Sequence, residues 1–252
     1  MRNIISSRFA INSHNDTDIT LGRSYGLGLE LETYALPDVS DTLAAKQAQA
    51  DALLVGFSQR SLHGTIVNRD LDTIRLLSAE DLLMLYNESY RYALHHDIHK
   101  IVFHSPFLSP QPLSDTVMNR SVRFLQAFLA DKPSDLMVYI ENFIYDTPAL
   151  LARLCDAIAD PRLAICLDTG HALCNSSIPL SVWIDDLGTR IQHVHLHNND
   201  GVADRHWPLG KGIASMDAVI DRLLNHTSVE MLVLECDAAD SVQWLIENGF
   251  AQ

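Results

Sequence analysis

The chain lacks the features that mark several whole classes of protein. Its four cysteines, Cys155, Cys166, Cys174 and Cys236, make no CxxC pair and no regular framework. A chain of 252 residues, 47% of them hydrophobic, can build a core without disulfides, so reduced and buried thiols are expected. No GxGxxG or GxxxxGK[ST] loop follows an early strand-like segment, which argues against an open dinucleotide-binding sheet. No run of about 18 apolar residues occurs, and the N-terminus has no signal-like apolar stretch. A soluble, cytoplasmic protein without a membrane partner is expected. Positive charge is also scarce: 18 Lys and Arg stand against 32 Asp and Glu, a formal net charge of −14. Such a field repels polyanions, so nucleic acid loses weight as a partner. Carboxylates that hold a metal are cancelled by its charge, which weakens that field. No linker or low-complexity break divides the chain, and residues 1–252 read as one domain.

What the chain does have is alternation of strand-like and helix-like segments. The strands expected are Ser7–Asn12, Gly28–Thr33, Ser61–Gly64, Lys100–His104, Leu136–Glu141, Arg162–Asp168, Ile191–His197 and Glu230–Glu235. Between them lie an Ala-rich helix opening at Ser40 or Asp41 and a helix capped by Ser78. In the latter Leu82, Leu85, Tyr86, Ser89, Tyr90, Ala93 and Leu94 recur at the helical period. Further helices are expected from Ser114, from Thr147-Pro148 with Pro at its favoured first position, near Pro179–Leu187, from Ser215 to about Asn225, and from about Asp240 to Glu247. Eight strands alternating with helices in about 250 residues predict an α/β fold, a (β/α)₈ TIM barrel of a single domain.

In such a barrel the C-terminal strand ends form one face, where active sites are built. Polar residues gather at those ends: His63, His104, Glu141, Asp168 with His171 just beyond, His195 and Glu235. The stretch Ile191–Gly212 runs from the seventh strand through an Asn/Asp/Gly turn and adds Asp204 and His206, which a folded-back loop would bring over the same mouth. Alternation supports the convergence, since Met137, Tyr139 and Glu141 share one strand face, as do Met231, Val233 and Glu235. Imidazole and carboxylate are the usual ligands of zinc and manganese. Nine donors exceed what one ion accepts, so the count predicts two or three ions if all nine bind. Other histidines receive plainer roles. His193 is expected one layer deeper in the core and His197 just past the donors in the loop. His95, His96 and His99 suit a helix C-terminus, and His14 and His226 receive no role.

The segments LHG (Leu62–Gly64), VFHS (Val102–Ser105), IEN (Ile140–Asn142) and LDTGH (Leu167–His171), followed by HVHLHNNDG, DRHWPLGKG and VLE (Val233–Glu235), resemble the successive motifs of the xylose-isomerase-like TIM-barrel superfamily. That superfamily holds sugar and sugar phosphate isomerases and epimerases, and also abasic-site nucleases of the endonuclease IV type. The resemblance covers roughly residues 28–236. Its isomerase pattern implies one divalent metal on Glu141, Asp168, His195 and Glu235. Its nuclease pattern implies a trinuclear zinc site that adds His63, His104, His171, Asp204 and His206. The nuclease pattern also carries a DNA-wedging aromatic-aliphatic pair just after the position of His63, where this chain reads Gly64-Thr65-Ile66-Val67.

The expectation is therefore a metal-dependent isomerase or epimerase acting on a small sugar, sugar phosphate or polyol, with one to three Zn or Mn ions. Glu141 and Glu235 would exchange the proton, and His171 and Arg205 would hold substrate oxygens. Lys211, between Gly210 and Gly212, would meet a substrate phosphate or cap a turn, and Trp207 would line the pocket or pack the loop. The alternatives are a multinuclear zinc phosphoesterase and a metal-binding barrel that no longer catalyses. An oligomer is compatible with each.

Overall fold

Strand burial decides the architecture. The computed structural model describes residues 7–13, 16–32, 40–65, 78–106 and 115–250, for 40–44 by backbone alone. Its strands are β1 (Phe9–Asn12), β2 (Gly28–Glu32), β3 (Arg60–His63), β4 (Lys100–His104), β5 (Met137–Glu141), β6 (Leu163–Asp168), β7 (Ile191–Leu196) and β8 (Met231–Leu234). They close as a parallel barrel in chain order, with β8 pairing back onto β1. Both faces are covered, so the strands are apolar nearly throughout. Outward residues such as Ile11, Leu29, Leu62, Phe103, Ile140, Ile165, Val194 and Leu232 join one core with the surrounding helices. The lumen holds two small groups, Val102, Tyr139, Ala164 and Cys166, and Ala10, Met231 and Val233.

The helices among the described residues are α1 (Asp16–Tyr25), α2 (Ser40–Leu54), α3 (Ala79–His95), α4 (Asp115–Leu129), α5 (Pro148–Ile158), α6 (Thr169–Asn175), α7 (Leu180–Leu187), α8 (Met216–His226) and α9 (Ala238–Glu247). Several begin where chemistry dictates. The Ser78 hydroxyl accepts from the Asp81 amide (3.0 Å) while the Asp81 carboxylate accepts from the Ser78 amide (3.2 Å), a reciprocal cap. Thr147 caps α5 ahead of Pro148. No described helix is long and apolar enough to cross a membrane.

Most boundaries fall within two residues of those expected. Ser7 and Arg8 lie outside β1, and β7 and β8 stop one residue before His197 and Glu235. Two helices escaped the periodicity. α1 buries only Asp18, Ile19 and Gly22, and Gly22 sits so near β1 that a Cβ there would lie 2.6 Å from Ile11 Cδ1. α6 has seven residues and grows directly out of β6. Ser114, the Pro-rich loop at 107–114, His14, and Ile66 and Val67 lie outside the described residues.

Candidate metal centre

Register brings the donors together before any side chain turns. His104 on β4 lies beside Glu141 on β5, and Asp168 on β6 beside His195 on β7. All four side chains project into the barrel at its C-terminal end, where no backbone of a neighbouring strand separates them.

The IEN and LDTGH segments lock each other. The Asn142 carboxamide bridges the backbone of Asp168, accepting from its amide (2.6 Å) and donating to its carbonyl (2.9 Å). Asp168 then caps α6, its Oδ1 accepting from the His171 amide at 2.6 Å. That turn swings His171 back over the mouth. Thr169 Oγ1 donates to the His197 carbonyl (2.8 Å), tying β6 to the end of β7. Gly170 is needed where it stands: a Cβ would lie 1.9 Å from Cε1 of the His197 ring. In the following loop, His206 adopts a left-handed φ of 47°, stacks on His197 (ring centroids 4.2 Å apart) and donates from Nδ1 to the Glu235 carbonyl at 2.7 Å. The loop thus folds back as its sequence suggests, and carries Asp204 with it.

The nine expected donors meet in one constellation. Glu141, 1% exposed, is its centre. Its Oε2 faces His63 Nε2 (3.3 Å) and His104 Nε2 (3.2 Å), and its Oε1 faces His171 Nδ1 (2.9 Å) and His195 Nδ1 (3.8 Å). His195 Nδ1 also lies 3.8 Å from Asp168 Oδ2 and 3.5 Å from Glu235 Oε2. At the rim, Asp204 Oδ2 meets His171 Nε2 (3.3 Å) and His206 Nε2 (3.1 Å). The three substrate-facing residues expected from the same loop lie further out. Arg205 pairs with Asp200 (3.1 Å), Lys211 sits over the Trp207 ring (4.3 Å), and Trp207 exchanges backbone bonds with Asn198.

Two residues enter the centre that the sequence pattern placed elsewhere or passed over. His197, expected just past the donors, is fully buried and its Nε2 lies 3.0 Å from Asp168 Oδ1. The physical reason is that Thr169 Oγ1 bonds both the His197 carbonyl and its amide, which sets the ring against Gly170. Glu30 on β2 received no role at all. It is 1% exposed and accepts from Ser61 Oγ (2.7 Å), His193 Nε2 (2.9 Å) and His195 Nε2 (2.9 Å). The signal was available, since Gly28 and Glu30 share the inward face of β2. His193 is the buried core histidine expected, stacked on Tyr139.

The electrostatics are those of a site built for cations. Burial pushes the Glu141 carboxyl up, but His104, His171 and His195 outweigh it and hold it well below the usual range. Burial raises Glu235, and repulsion from Asp168 and Glu141 adds to it against the opposing pull of His195 and His197, so it stays high. Burial lowers the His63 imidazole, yet its bond to Glu141 brings it up to about 9. His206 reaches about 9 through Asp204 in the same way.

The residues fit a divalent ion. His195 Nδ1 is buried with no hydrogen bond, although three carboxylates stand within 3.8 Å of it. His63 and His206 each give Nδ1–H to a backbone carbonyl, Gly64 (3.1 Å) and Glu235 (2.7 Å), and so turn Nε2 toward the carboxylates. A ligating histidine is ordinarily anchored through its other nitrogen in this way. Among the described residues, the groups of three donors close enough to share an ion include His63, His104 and Glu141; His63, His195 and Glu235; and His197, His206 and Glu235.

A family model described as xylose isomerase-like TIM barrel matches residues 86–248. The chain belongs to that family. A curated relative, the uncharacterized protein MJ1614 of Methanocaldococcus jannaschii, is 31% identical over 87 residues, which cover 34% of each chain. The match therefore spans about a third of that relative. Among solved structures, the TTHB071 protein of Thermus thermophilus, soaked with ZnCl₂, is 23% identical over 96% of each chain with a TM-score of 0.65. A D-allulose 3-epimerase from Methylomonas, in complex with D-allulose, is 14% identical, covering 92% of this chain and 85% of its own, with a TM-score of 0.62. At these identities the likeness is one of fold.

Proposed function

We propose that the protein is a divalent-metal-dependent isomerase or epimerase of a small sugar, sugar phosphate or related polyol. The observation that carries this reading is the pair Glu141 and Glu235, both brought to His195 Nδ1, at 3.8 and 3.5 Å. Their environments push them apart, Glu141 held ionised and Glu235 raised. Two carboxyls with separated proton affinities suit removal of a proton from a carbon and its return on the same or the opposite face. Zinc or manganese on Glu141, Asp168, His195 and Glu235 would polarise a substrate carbonyl. His171, held between Glu141 and Asp204, holds a substrate oxygen, and Arg205, Trp207 and Lys211 form the outer wall. Lys211 suits a phosphate-bearing substrate. The fold shared with a sugar epimerase supports the reading. The test is exchange of the substrate carbon proton with D₂O across a ketose panel. Glu141→Gln and Glu235→Gln should each slow exchange by about 10²–10⁴-fold, and undiminished exchange in either variant removes that residue's role.

A second reading, a multinuclear zinc phosphoesterase, is favoured by one specific observation. His63 and His104 share one oxygen of Glu141, while Asp204 and His206 lie at the other side of His171, all four outside the isomerase set. Three zinc ions per chain, with phosphoester cleavage and no proton exchange, would replace the first reading. One ion per chain, without cleavage of a phosphomonoester or abasic-site DNA, would remove the second.

A further inference from the structure

We infer that Glu30 decides which nitrogen of His195 faces the metal, making it a positioning residue one strand removed from the donors. The inference rests on the metal-binding part of the proposal above and is independent of the substrate. An ionised carboxylate has only acceptor sites, so each imidazole nitrogen bonded to it must carry the proton. Three groups converge on the two oxygens of Glu30, the Ser61 hydroxyl and two imidazole nitrogens, an arrangement that suits the acceptor-only carboxylate. Its Oε1 lies 2.9 Å from His195 Nε2. The neutral His195 ring therefore has N–H at Nε2 and its lone pair at Nδ1, the atom that points at Glu141, Asp168 and Glu235.

The carboxylate cannot turn away to offer a different face. Its Oε2 is taken by the Ser61 hydroxyl at 2.7 Å and by His193 Nε2 at 2.9 Å, leaving Oε1 to His195 alone. Its partners come from β3 and β7, which are not adjacent in the barrel, so Glu30 spans the lumen as a brace. The contrast with the other donors sharpens its task. His63 and His206 use loop or strand-end carbonyls to hold Nδ1 and present Nε2. His195 lies inside β7, where neighbouring carbonyls are committed to the sheet ladder, and it must present the opposite nitrogen. A carboxylate reaching through the lumen supplies the missing acceptor, and as a charged partner it also raises the ring's strength as a ligand.

Two measurements on the full chain test this. In zinc-loaded protein with ¹⁵N-labelled histidine, a long-range ¹H–¹⁵N correlation should show the His195 proton on Nε2 and none on Nδ1. In Glu30→Gln the amide offers one acceptor oxygen to partners that need two, so the single-tautomer pattern is lost. Zinc affinity, measured by competition with a chromophoric chelator, should fall ten- to hundredfold. Circular dichroism of the metal-free variant separates this from unfolding. A purely structural Glu30 would leave affinity within about twofold in a folded variant, and that result overturns the inference. A proton on Nδ1 in the unaltered protein overturns it whether or not the variant folds. Failure of the unaltered protein to bind zinc at all overturns the metal reading as well.

Discussion

Replacing Gly170 by Ala is a change of one methyl group that the geometry does not accommodate. The new carbon would lie 1.9 Å from Cε1, 2.2 Å from Nδ1 and 2.5 Å from Nε2 of His197. Ordinary contact is about 3.5–4.0 Å, so the ring must retreat by roughly 1.5 Å. It has nowhere to go: it is fully buried, with His206 stacked at 4.2 Å and Asp168 bonded at 3.0 Å. Overpacking of this kind costs about 1–3 kcal/mol, and loss of the bond to a buried carboxylate adds about 1.5–3 kcal/mol. Against this stands the helix preference for Ala over Gly, at most about 1 kcal/mol, since Gly170 lies in the first turn of α6. The balance is about 2–5 kcal/mol of destabilisation, a large share of the roughly 5–15 kcal/mol typical of a domain. Urea unfolding of the metal-free variant should show the midpoint lowered with its slope retained. Zinc affinity should fall too, because Asp168 loses a partner. A midpoint equal to or above that of the unaltered protein would refute the packing argument.

Other consequences follow from the same contacts. In the chelated protein, His63 and His206 titrate at about 9, above the ordinary 6.5. Their stabilisation is complete below about pH 6.5 and fades as the pH rises toward about 9, so the melting temperature should fall across that window. Zinc requires the same rings without their protons, so the increment it adds should grow over the same interval; a constant increment would contradict their role as donors. Asn142→Ala strips both bonds from the Asp168 backbone and should cost about 1–3 kcal/mol with weaker zinc binding, read by unfolding and chelator competition. Ser78→Ala removes the reciprocal cap of α3 and should lower stability by about 0.5–2 kcal/mol while leaving zinc affinity unchanged.

The barrel was legible because its signal is redundant. Eight apolar strands, each ending on or one residue before a polar residue, can close in few ways, and the inward parity of Tyr139 with Glu141 and of Val233 with Glu235 holds in the lumen. The convergence of His63, His104, Glu141, Asp168, His195 and Glu235 was legible for the same reason, as residues at or just past strand ends, while His171, Asp204 and His206 come from α6 and the loop after β7. What stayed hidden depended on contacts between distant segments. Glu30 looks like a routine strand residue until β2 and β7 are placed across one lumen from each other. His197 reads as a loop histidine until Gly170 is seen to make room for its ring. Asn142 is visible in the IEN segment, but its grip on Asp168 exists only once β5 and β6 are in register. α1 and α6 were missed because one is weakly amphipathic and the other too short to show a period.

We propose that Glu141, Asp168, His195 and Glu235 hold a divalent metal at the mouth of the barrel. Anomalous diffraction from crystals of zinc- and manganese-loaded protein, recorded on both sides of each absorption edge, tests it most directly. An ion is expected within bonding distance of His195 Nδ1 and of carboxylate oxygens from Glu141, Asp168 and Glu235, with any further ions among His63, His104, Asp204 and His206. Loaded crystals without anomalous density at His195 Nδ1, or with an ion bound to its Nε2, would contradict it.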